Sequence, residues 1–126
     1  MKKKKFLKVK DYIQGSEQLS GNDFLVIVSS LKDGMCLKKI YPTIDFIAPD
    51  SENTMIKKEY LDNIKTNYKR CYILFDNDEA GQKAMLKYWT QFPYLEPLYL
   101  QLSKDISDSV MNYSYQKVKD ILDDQL

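Results

Sequence analysis

The chain contains no histidine. That excludes imidazole general bases, serine–histidine and cysteine–histidine pairs, and the usual zinc and iron sites. Cysteine is scarce, with only Cys36 and Cys71. They fit no metal-ligand spacing; one falls in a predicted helix and one at a strand start, which points to buried reduced thiols and a cytoplasmic protein. Four glycines in the whole sequence leave no Walker or dinucleotide-binding loop. No apolar stretch is long enough to span a membrane. The lysines from Lys2 to Lys5 lead into Phe6-Leu7-Lys8 rather than an apolar core, so they do not read as a secretory signal. The net charge of +1 gives no global nucleic-acid footprint, and any basic surface must be local.

What is present fits one soluble domain with a real core, at 126 residues and 44% hydrophobic composition. The chain centres on Cys71-Tyr-Ile-Leu-Phe-Asp-Asn-Asp-Glu-Ala-Gly81. Tyr72 to Phe75 is a short apolar run rich in strand formers. It ends in Asp76-Asn77-Asp78, and a helical pattern follows through Met85, Leu86, Tyr88 and Trp89. A buried strand running into carboxylates and then a helix sets those carboxylates at the C-terminal edge of a sheet. Ligands of open α/β sheets bind at that edge. Asp76 and Asp78 share a face in extended chain, and a divalent cation would relieve their repulsion. Oxygen ligands suit Mg²⁺, Mn²⁺ or Ca²⁺. The same three residues also read as a loop with a helix N-cap.

The remaining elements follow in order. Residues 1–22 read as a basic extended arm or small hairpin, and residues 23–126 as the α/β domain. Phe24-Leu-Val-Ile-Val28 is a continuous apolar run, as in a central parallel strand. Leu31 to Ile40 reads as a helix with Ser29 or Ser30 as its cap. Thr43 to Ala48 is a second strand, followed by a polar loop with Asp50, Ser51 and Glu52. Met55 to Tyr68 is a helix, then come the central strand and a helix from Ala80 to about Phe92. Pro97 to Leu102 is a fourth strand, and Val110 to Leu126 a final helix. Strand–helix alternation calls for a parallel sheet with helices on both faces. Its C-terminal edge then collects Ser29, Lys32, Asp33, Glu52, Asp76, Asp78, Lys104, Asp105 and Asp108. The aromatics Tyr72, Tyr88, Trp89 and Tyr99 have the spacing of core residues more than of a base-stacking platform.

Phe75-Asp-Asn-Asp-Glu-Ala-Gly81 resembles the Asp-x-Asp motif of Toprim domains, shared by bacterial-type primases, topoisomerases and some nucleases. Lys104-Asp105-x-x-Asp108 is similar to the Lys-Asp element after the fourth strand of primase Toprim domains. Val28-Ser-Ser-Leu-Lys-Asp33 occupies the place of the family's first motif, usually Glu-Gly-x-x-Asp. The resemblance spans residues 23–110 and implies a Toprim-like (Rossmann-like) α/β fold, with a central four-stranded parallel sheet flanked by helices.

The resemblance implies metal-dependent phosphoryl or nucleotidyl transfer with Mg²⁺ or Mn²⁺. Asp76, Asp78 and Asp105 would be metal ligands. Asp33 and Asp108 would support the site, and Lys32, Lys83 and Lys104 would contact phosphate or nucleic acid. Ser29 departs from the family's Glu, and a hydroxyl cannot replace that carboxylate at neutral pH. Glu52, from the neighbouring strand end, is the expected substitute, which makes Asp76, Asp78 and Glu52 the catalytic candidates. Primases add a zinc-binding module and an RNA-polymerase-type subdomain. The expected partners are therefore DNA or RNA, nucleotides, and a helicase or missing primase segment, in a bacterial or phage-infected cytoplasm. Two other functions fit the same residues: a stand-alone Toprim nuclease, and a non-catalytic binding module that has lost the Glu.

Overall fold

The computed structural model describes residues 13–14, 23–49, 55–103 and 105–126. The strands are β1 (Ile13–Gln14), β2 (Phe24–Val28), β3 (Ile44–Pro49), β4 (Arg70–Leu74) and β5 (Glu96–Pro97). The helices are α1 (Leu31–Ile40), α2 (Lys58–Ile64), α3 (Glu79–Gln91), α4 (Ile106–Asn112) and α5 (Tyr115–Asp123). The sheet order is β1-β3-β2-β4-β5. β2 lies between β3 and β4, parallel to both, and β5 runs parallel to β4. β1 pairs antiparallel with β3. The other residues of the predicted N-terminal arm lie outside the described residues, as do Asp50, Ser51, Glu52 and Lys104.

The continuous apolar strands have a plain cause: both faces of the sheet are covered. Val26, Val28, Phe46, Tyr72 and Leu74 pack towards Leu37 of α1, Ile106 of α4 and Val118 and Leu122 of α5. Leu25, Ile27, Ile47, Cys71 and Ile73 pack towards Leu61 of α2 and Ala84 and Tyr88 of α3. Alternate residues of one strand thus feed two cores. Burial pushes the Cys71 thiol up to about 11, as expected for an inert core cysteine.

Two predicted elements differ from what forms. The fourth strand shortens to Glu96–Pro97, although the Leu98 N–H still donates to the Ile73 carbonyl at 2.8 Å. It is an edge strand carrying Pro97, which cannot donate to a ladder. The single C-terminal helix divides in two. Ser114 caps α5 by accepting the Lys117 N–H at 3.0 Å, and Asp105 starts α4 ahead of the expected Val110. Both caps satisfy amide donors that open a new helix, which favours two starts over one long run. The helix predicted over 55–68 is α2 closed by a 3₁₀ turn at Lys65–Asn67.

Candidate metal and phosphate site

Three carboxylates meet at the C-terminal edge of the sheet. Asp33, Asp76 and Asp105 each offer an oxygen within 4.8 Å of the others. Asp76 follows β4. Asp33 sits in the first turn of α1, which starts after β2. Asp105 is the N-cap of α4. The three units whose strands lie side by side in the sheet, β2, β4 and β5, therefore each deliver one carboxylate, because parallel strands end along one edge.

Local sequence fixes each of them. Ser30 caps α1 by accepting the Asp33 N–H at 3.2 Å, which turns the Asp33 side chain back over the strand ends. Asp33 is only 3% exposed. Its Oδ1 accepts the backbone N–H of Ser107 at 3.1 Å, tying α1 to α4. Asp105 Oδ1 accepts the Asp108 N–H at 2.8 Å and the Ser107 hydroxyl at 3.2 Å. The Ser29 hydroxyl lies 2.5 Å from Asp76 Oδ1 and 3.1 Å from Asp33 Oδ2. It carries one proton, so it donates to one carboxylate at a time.

The electrostatics follow from burial. Loss of solvent raises the Asp33 pKa above the ordinary Asp value, and the nearby Asp105 and Asp76 charges raise it further. The Ser107 N–H and the Ser29 hydroxyl act in the opposite direction. A buried carboxylate beside two others is unfavourable as a bare anion, and a divalent cation would reverse that balance. The donor set is all oxygen, and three carboxylates suit the hard cations Mg²⁺ and Mn²⁺. The residues present thus fit the cation that the sequence implies.

The group contains Asp76 and Asp105 from the expected ligand set, with Asp33 beside them rather than Asp78. Asp78 is the N-cap of α3, its Oδ1 accepting the Gly81 N–H at 2.7 Å. Asp108 lies in the first turn of α4 and gives its backbone N–H to Asp105. Lys32 is exposed in the first turn of α1. Lys83 is exposed and faces Glu79 at 3.8 Å in an i,i+4 surface pair. Sequence reasoning ranked Asp33 as support only. Its signal was there: an Asp one turn into a helix that opens with a serine cap at a strand end.

Gly81 matters to the geometry of the loop. A Cβ at this position would overlap the carbonyl oxygen of Asp76, so α3 can sit this close to the Asp76 backbone only with glycine. The expectation that the four aromatics are core residues holds for Tyr72 and Tyr88, both fully buried. It fails for Trp89 and Tyr99, which are 49% and 58% exposed. Trp89 lies on the solvent side of α3, and Tyr99 follows the shortened edge strand.

The same architecture occurs in solved structures. The small Toprim domain protein of Bacillus stearothermophilus aligns over 77% of this chain and 85% of its own, with 20% identity and a TM-score of 0.59. This chain has the Toprim fold. The primase fragment of the bacteriophage T7 primase-helicase protein aligns over 90% of the Toprim chain, with 17% identity and a TM-score of 0.73. The Aquifex aeolicus primase, comprising zinc-binding and RNA polymerase domains, aligns over 94% with 19% identity and a TM-score of 0.70. The Toprim chain spans 49% of the phage fragment and 30% of the Aquifex chain. No protein-family model and no curated protein sequence matches it. Among the described residues, no helix is long and apolar enough to cross a membrane.

Proposed function

We propose that this Toprim domain is the metal- and phosphate-handling part of a primase-type nucleotidyl transfer system. The observation that carries the reading is the meeting of Asp33, Asp76 and Asp105 at the sheet edge. Asp76, Asp105 and Asp33 would hold Mg²⁺ or Mn²⁺, and Asp78 flanks them as the cap of α3. A bound cation supplies charge neutralisation for triphosphate or phosphodiester oxygens. The chain's own work is to hold the carboxylates in place. The Ser29 hydroxyl lies between Asp33 and Asp76, within reach of both, and the Ser107 N–H donates to Asp33.

Ser29 cannot serve as a general base at neutral pH, so proton transfer falls to another group. Glu52 is the proposed source within this chain. A helicase or further primase segment is the proposed partner, with DNA or RNA as template and nucleotides as substrates. The reading is supported by alignments to primases much longer than this chain.

Primer synthesis on single-stranded DNA, with nucleotides and Mg²⁺, tests this directly. Activity that disappears in Asp76→Asn supports it. A second reading is a stand-alone Toprim nuclease, favoured by the 85% coverage of the small Toprim protein. Plasmid nicking without primer synthesis would select that reading instead.

A further inference from the structure

A cleft of about 600 Å³ opens beside the acidic group, between α3 and the segment after β5. That size lies in the range of small-molecule pockets. Asp76 lines the cleft and also belongs to the carboxylate group, so the two sites adjoin. Leu86 and Trp89 line one side from α3, and Tyr99 lines it from the edge segment. Leu86 and Trp89 are three residues apart, which makes them neighbours on one helix face. All three are exposed, at 60%, 49% and 58%. Neither core cluster includes them. Large apolar side chains gathered in one exposed cleft mark a binding site more than a folding need. Asn77, Gln82 and Gln101, each with a side-chain amide, also line the cleft. Each amide offers both donors and an acceptor without a formal charge.

The occupant must match both features. It needs a flat apolar face for the two rings and a neutral hydrogen-bonding edge for the amides. At the Asp76 end it needs an anionic group that a metal-loaded carboxylate cluster can hold. We propose that the cleft is the base-binding subsite for a nucleotide whose phosphates lie at the Asp33–Asp76–Asp105 group. Trp89 and Tyr99 supply the stacking surfaces, and Asn77 and Gln101 meet the edge of the base. Aromatic stacking accepts every base, so the subsite adds affinity with little sequence preference. This inference rests on the proposed phosphate-handling role of the three carboxylates.

Trp89 is the sole tryptophan of the chain, so its emission reports the cleft directly. The test titrates the protein with ATP and with tripolyphosphate, both in Mg²⁺, by calorimetry and by tryptophan emission. Tripolyphosphate carries the phosphates and no base. ATP is expected to bind about tenfold more tightly, and only ATP is expected to quench Trp89. Trp89→Ala should bring ATP down to the affinity of tripolyphosphate, Trp89→Phe should keep most of the difference, and Tyr99→Ala should reduce it as an independent variant. Equal affinity with unchanged emission would overturn the base subsite and leave the phosphate-handling role standing. Failure of both compounds to bind would overturn both.

Discussion

The Ser29 hydroxyl stands between Asp76 and Asp33, 2.5 Å from the first and 3.1 Å from the second. The two carboxylates come from different strand–helix units, and the hydroxyl is a donor between two anions. Ser29→Ala leaves them facing each other without that proton. Loss of a hydrogen bond to a charged group is expected to cost about 1.5–3 kcal/mol in the metal-free protein. Denaturant unfolding measures it. Saturating Mg²⁺ should reduce the loss, because the cation takes over the neutralising role. Ser29→Glu should destabilise the metal-free protein more than Ser29→Ala does, and bind Mg²⁺ more tightly.

Asp33 makes stability depend on pH. Its folded pKa lies above the ordinary value of 3.8, chiefly through burial. Above the folded pKa the carboxylate is charged in both states, and burial penalises the folded one. As the pH falls, the folded state takes up the proton first, so the native state binds more protons than the unfolded chain. The contribution of this group therefore grows as the pH falls through the folded pKa, is complete below the unfolded one, and is absent well above the folded one. Asp33→Asn should stabilise the metal-free protein at a pH above the folded pKa of Asp33, and its advantage over wild type should shrink towards the usual Asp range. Its amide oxygen can still accept from Ser107, and its amide nitrogen can donate to Ser29. Melting curves across that interval, without metal, give the difference.

Asp76 and Asp78 are expected to separate by role. Asp78→Asn retains a good N-cap for α3 and should leave stability nearly unchanged, whereas Asp78→Ala should lose about 1 kcal/mol. Asp76→Asn should instead lower Mg²⁺ affinity, with little effect on α3. Calorimetric metal titration beside thermal unfolding separates the two effects. A tenfold affinity loss in Asp78→Asn would make Asp78 a ligand as well as a cap.

Gly81→Ala should disturb both the loop and the site. The new methyl group collides with the Asp76 carbonyl, which is backbone and cannot rotate away. Overpacking of this kind costs about 1–3 kcal/mol. Mg²⁺ affinity should fall with stability, because Asp76 must move. Paired denaturation and metal titration check both effects.

Much of this arrangement was legible from the sequence. The runs Phe24–Val28 and Tyr72–Phe75 announced central parallel strands because continuous apolar segments need cover on both faces. α1 was readable from Leu31 to Ile40, with its serine cap and apolar spacing. The break between α4 and α5 was hidden because the apolar period persists through Ser114, while the cap geometry that divides the helix is local. Asp33 looked peripheral because its contact to Ser107 bridges residues far apart in sequence. Trp89 and Tyr99 looked like core residues because spacing identifies a helix face or strand face without telling which neighbour covers it. Tyr99 follows the early end of β5, which no periodicity marks.

The central claim is a divalent-cation site at Asp33, Asp76 and Asp105. The most direct measurement is Mn²⁺-induced relaxation in two-dimensional amide NMR spectra of the labelled protein. Selective broadening of the amides of Ser29, Asp33, Asp76 and Asp105, competed away by Mg²⁺ and abolished in Asp76→Asn, is the predicted result. Uniform or absent broadening at saturating Mn²⁺, with the same spectrum in Asp76→Asn, would contradict it.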